Sequence, residues 1–155
     1  MMSKIHGSLI QGTYPYRRTF IGVESFVAIG GLAGAWQLWT GTYAPPVSDL
    51  EVLGLDSWKL PAVWLFASVA APSAAAAIAA LRRWPHAPAV VLVASGLLLV
   101  EVAVQIPFVG PSALQAVFGA VGIGLGALAW SARRSGRWAR AMEVQPVVKT
   151  LTHSE

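Results

Sequence analysis

Few side chains in this sequence could do chemistry, and the most conspicuous lies where water is scarce. Leu97-Leu98-Leu99-Val100-Glu101-Val102-Ala103-Val104-Gln105-Ile106 is an apolar run broken by one carboxylic acid and, a helical turn later, one amide. Intramembrane acids mark proton or ligand pathways, clamp helices together, or meet a partner protein. Other chemistries lack their residues. There is no cysteine, which excludes disulfides, iron–sulfur clusters, thiol nucleophiles and covalently attached haem. His6, His86 and His153 are far apart in tails or a loop, and no Ser-His-Asp set, zinc spacing or phosphate loop is present. The expectation is a protein that is not an enzyme and carries no cofactor or metal.

The elements that must position Glu101 follow from composition. Of 155 residues, 55% are hydrophobic and 12% charged, and the mean hydropathy is +0.60. Soluble domains carry about 25% charged residues. A membrane helix needs about 20 mostly apolar residues, and four blocks meet that length: 20–41, 60–81, 87–106 and 112–130. They predict an all-α, polytopic protein with four transmembrane helices in an antiparallel bundle. Residues 1–19 form a basic N-terminal tail and 133–155 a basic C-terminal one. The first block is too long and too bulky at its end for a secretory signal, so it reads as retained; cleavage after Ala44 is the alternative.

Lys and Arg accumulate on the cytoplasmic side of membrane spans. Ten of the eleven fall on one side of the four-span pattern, and Lys59 alone falls on the other with Asp49, Glu51 and Asp56. Both termini are therefore expected in the cytoplasm and the chain in the inner (plasma) membrane. Trp36, Trp39, Trp58 and Trp64 then lie near the outer interface, and Trp84, Trp130 and Trp138 near the inner one. The net charge of +4 reflects this topology and does not point to nucleic acid. Arg133, Arg134, Arg137 and Arg140, interleaved with Trp beside the last span, read as anchors to anionic lipid headgroups.

Pro45-Pro46 should stop the first helix. Ser48 to Glu51 has capping-box spacing and suggests a short surface helix, and Asp56 or Ser57 should cap the second span. Ser112 to Gln115 is a second capping box, opening the fourth. Residues 106–111 should make a tight turn, and Pro72 should kink the second span and free the carbonyl of Ser68.

Helices in lipid associate through small residues and polar contacts. Gly30-x-x-x-Gly34 and Gly122-x-x-x-Gly126 are such stripes, the second extended by Gly119 and the Ala120/Gly124 pair. Internal packing is the ordinary use of such glycines, and docking of another protein the sharper one. Glu101 lies about 18 Å along its helix, just past the bilayer centre, where a charge costs about 2.5–3.5 kcal/mol. It should be protonated, hydrogen-bonded or both. Ser68 reaches a similar depth, and Gln105, Gln37 and Gln115 could extend an inward polar seam. Glu24, nearer the cytoplasmic end, could snorkel or pair with Arg17 or Arg18. With no Lys, Arg or His inside a span, a structural clamp or partner contact is favoured over a proton relay.

The segments from Glu24 to Gly34, Leu53 to Pro61, Ala80 to Trp84, Val100 to Pro107 and Ser112 to Gly119 resemble small, largely uncharacterised four-helix integral membrane proteins of Actinobacteria. The resemblance implies a four-span fold and no established activity. By analogy, such proteins serve as accessory subunits of larger membrane complexes. The expected function is a non-enzymatic accessory subunit, with an envelope lipid-transport machine as host. A respiratory complex, or a small oligomeric carrier or channel built on the polar seam around Glu101, is the alternative.

Overall fold

A computed structural model describes residues 14–136 together with Trp138. Among these residues every regular element is helical. Four helices are long and apolar enough to cross a membrane: α1 (Arg17–Thr40), α2 (Lys59–Leu81), α3 (Ala87–Val109) and α4 (Ala113–Arg134). The multi-pass reading rests on these four.

Each helix ends for a local reason. Tyr16, with φ at 61°, precedes α1, and Gly41, with φ at 74°, closes it. A left-handed residue after the last turn is the usual helix stop, and glycine adopts it without a Cβ penalty. Pro45-Pro46 then leads into a short 3-10 helix, Val47–Leu53. This is the expected surface helix, but it has no capping box: Pro46 precedes it and no side chain caps it. Its Leu50 is buried, and Trp58 Nε1 donates to the Pro45 carbonyl at 2.8 Å, tying the connection to the head of α2. Trp58 also occupies the N-cap of α2, without a side-chain cap, in place of Asp56 or Ser57.

Pro72 does not produce a plain kink. The second span is α-helical over Lys59–Leu65, π-helical over Phe66–Ala70 and α-helical again over Ala71–Leu81. Proline has no N–H to offer the carbonyl four residues back. The wider turn just before it, with Ala71 N–H donating to Phe66 O, takes up the mismatch and keeps the helix continuous. At its far end, Arg17 caps α2: Nε donates to Ala80 O and Nη2 to Leu81 O, both at 3.0 Å.

The turn expected at residues 106–111 starts later, because α3 runs through Pro107 to Val109 and Gly110, at φ 73°, breaks it. The second capping box forms as expected. Ser112 Oγ accepts from Gln115 N at 3.3 Å, and Gln115 Oε1 accepts from Ser112 N at 2.9 Å.

Packing follows chain order: α1 lies against α2, α2 against α3, and α3 against α4. The main core, toward the Arg17 end of α1, joins Phe20, Ala76, Ala80, Val91, Leu125 and Ala129, with Trp138 folded into it. Trp138 is therefore not a lipid-facing belt residue. Its Nε1 donates to Pro15 O at 3.1 Å and its ring meets Tyr14 edge-on at 5.0 Å. A second cluster, Val27, Val69 and Leu98, sits farther along the helices.

Candidate functional site

Two helical pairs, each spaced i and i+4, face one another across α2 and α3. Trp64 and Ser68 stand one above the other on α2, as residues four apart do; Glu101 and Gln105 do the same on α3. The Trp64 indole N–H donates to Glu101 Oε2 at 2.7 Å, and the Ser68 hydroxyl donates to the same oxygen at 3.0 Å. The Gln105 amide donates to Oε1 at 3.0 Å. Glu101 is only 7% exposed. Three donors thus engage both carboxyl oxygens, and the two from α2 cross the helix interface.

The seam imagined from the sequence breaks up outside this cluster. Ser68 and Gln105 join Glu101. Gln115 instead closes the capping box on Ser112, and Gln37 is exposed. Trp64 is the member that sequence reasoning missed, having been assigned to the interfacial belt. Its position one turn before Ser68, on the same helix face, was the available signal.

Glu24 is placed differently from expectation. It does not snorkel, and neither arginine pairs with it: Arg17 is committed to the end of α2, and Glu24 is 1% exposed. The hydroxyl of Ser73 is within reach of its carboxyl, while Oε1 is buried without a hydrogen-bond partner. The two acids thus flank α2 at Ser68 and Ser73, about 7.5 Å apart along its axis and on either side of Pro72.

Both glycine stripes lie in interfaces within the chain, but not every glycine is needed there. A Cβ on Gly31 would meet Val69 Cγ1 at 3.1 Å and the Ala70 backbone at 3.2 and 3.3 Å. On Gly122 it would meet Leu99 at 3.0 Å, and on Gly34 the end of Leu65 at 3.2 Å. Gly30 and Gly126 have ordinary spacing, 3.9 and 3.8 Å to their nearest neighbours. The crossing of α1 and α2 is centred on Gly31, beside the Gly30/Gly34 pair.

Arg133 and Arg134 are exposed in the last turn of α4, and the Arg134 guanidinium lies 4.9 Å from the Trp130 ring centroid. Arg137 and Arg140 lie outside the described residues. No group of three or more metal-ligating side chains occurs among the described residues. The Glu101 cluster can act as a hydrogen-bonding clamp: it joins α2 to α3 where little else is polar. No family model, curated protein or solved structure matches this chain.

Proposed function

We propose that this chain is a non-enzymatic accessory subunit of a larger integral-membrane complex, docking through the outward face of α4. The observation that carries this reading is a second small-residue stripe. Ala116, Ala120, Gly124 and Ala127 are exposed at helical spacing, and a Cβ on Gly124 would meet nothing within 4 Å. Gly122 and Gly126 point the other way, into α3. Membrane helices approach closely where small residues line a face. Of the four spans, α4 is also the least buried within the chain.

In this reading the four helices form an antiparallel bundle with both termini in the cytoplasm of the inner membrane. The ten-to-one distribution of Lys and Arg supports that orientation. The paired contacts of Arg17 with Leu81, Gly31 with Val69 and Gly34 with Leu65, which match rising numbers with falling ones, support the antiparallel run of α1 and α2. The basic end of α4 and the tail beyond it anchor to anionic lipids. The resemblance to small actinobacterial membrane proteins favours an envelope lipid-transport machine as host. The carrier reading has less support, because Glu101 takes its three hydrogen bonds from groups of this chain.

Gentle detergent extraction of a tagged full chain, followed by sizing and mass spectrometry, tests the proposal. An accessory subunit migrates in a larger particle of fixed stoichiometry and moves no solute when reconstituted alone. A chain that migrates by itself and transports a solute in vesicles is a carrier.

A further inference from the structure

Near the Lys59 end of α2 a groove of about 260 Å³ opens sideways between α1 and α2, lined by Ala35, Trp36, Trp39, Ala62, Val63 and Phe66. Ligand sites for drug-sized molecules begin near 300 Å³, so this one suits a single slender chain. Its walls are apolar, and two small residues, Ala35 and Ala62, form the recess. The exposed rings of Trp36 and Trp39 rise beside it, with the amphipathic character that tryptophan brings to headgroup level.

What lies at the head of the groove identifies the occupant. Lys59, the first residue of α2, shares a helix face with Ala62, Val63 and Phe66, at offsets of three, four and seven. Phe66 is about 10 Å deeper along the axis. The Lys59 ammonium is 5.9 Å from the ring centroid of Trp39, itself a wall of the groove, and it forms no ion pair among the described residues. A cation free of a carboxylate, above an apolar slot open to lipid, complements a phosphate esterified to an acyl chain. Asp49, Glu51 and Asp56 lie in the same connection, so its net charge is not positive, and recognition falls on the contacting phosphate and not on net lipid charge.

We propose that this groove holds one acyl chain of a phospholipid from the adjoining leaflet, with its phosphate against Lys59. The site is separate from both the Glu101 cluster and the α4 face, and it stands whether or not the chain has a host complex.

The test is titration of the purified full chain in detergent with phosphatidylglycerol carrying brominated acyl chains, read as quenching of tryptophan fluorescence. A saturable phase of one lipid per chain is expected, and brominated phosphatidylethanolamine should give nearly the same curve. Brominated diacylglycerol, which lacks the phosphate, should bind about fivefold more weakly, and so should phosphatidylglycerol to Lys59→Gln, the loss expected for one basic side chain at a membrane surface. Val63→Phe crowds the slot and should abolish the saturable phase. Val93→Phe, on an exposed face of α3, should not. Should Val63→Phe fail to fold, Lys59→Gln and the diacylglycerol arm decide. Quenching that never saturates, or that is unchanged by Lys59→Gln and by loss of the phosphate, means ordinary surrounding lipid and overturns the proposal.

Discussion

Two acids buried in one bundle should respond unequally to substitution. Glu101 has donors on both oxygens, whereas Glu24 leaves Oε1 without a partner. Removing a satisfied acceptor strands its donors, but removing an unsatisfied buried group relieves a cost. Glu101→Leu should therefore weaken the α2–α3 contact by about 1–2 kcal/mol, the scale of interhelical polar contacts in membranes. Glu101→Gln should be tolerated: one oxygen still accepts from Trp64 and Ser68, and Gln105 can turn its amide to face the new one. Glu24→Met should cost less than Glu101→Leu, because relief of the unpartnered Oε1 offsets the stranding of the Ser73 hydroxyl. Unfolding in mixed micelles measures all three. A Glu101→Gln protein that folds fully and loses its cellular function would show that the acid does more than clamp. Much of this cluster is legible in the sequence, because an acid in an apolar run needs partners at its own depth, which Ser68 and Gln105 provide. Trp64 is harder to see, since an indole near a helix end serves equally well as an interfacial anchor. Glu24 is harder still: no spacing rule reveals that Arg17 reaches across to α2 and not along its own helix.

At the scale of elements, the four spans are legible because twenty apolar residues in a row have few other uses. Their ends are less so. Pro107 reads as a stop yet lies within α3, since proline in the last turn forfeits little hydrogen bonding when Gly110 N–H still closes onto Ile106 O. The Ser112/Gln115 box is legible because two reciprocal bonds fix its spacing. The Ser48/Glu51 spacing is matched by a 3-10 turn that has no use for it. The glycine pattern locates the α1–α2 interface but not its point of closest approach, which depends on crossing geometry. Gly31→Ala should therefore cost about 1–3 kcal/mol through overpacking against the Ala70 backbone. Its neighbour Gly30→Ala should be neutral or slightly stabilising, as alanine is the better helix former. Thermal unfolding of the two variants side by side checks this. Equal effects would place the crossing elsewhere.

For the whole molecule, orientation and association can be tested separately. The chain has no cysteine of its own, so single cysteines report topology cleanly. Ser48→Cys should react with an impermeant thiol reagent in whole cells, and His86→Cys, in the exposed turn between α2 and α3, only after lysis. The reverse pattern would invert the protein, and labelling of both would change the span count. Association can be separated from folding at two glycines on α4. Gly122 packs on Leu99, whereas Gly124, two residues on, faces open space. The most direct measurement is recovery of the larger membrane particle from cells expressing tagged Gly122→Leu or Gly124→Leu chains, alongside the abundance of each chain in the membrane. Gly122→Leu should lower abundance, because leucine there displaces α3. Gly124→Leu should accumulate to normal levels and yet be recovered without its companions. A Gly124→Leu chain recovered in the same particle, in the same amount as the unaltered protein, would contradict docking through this face.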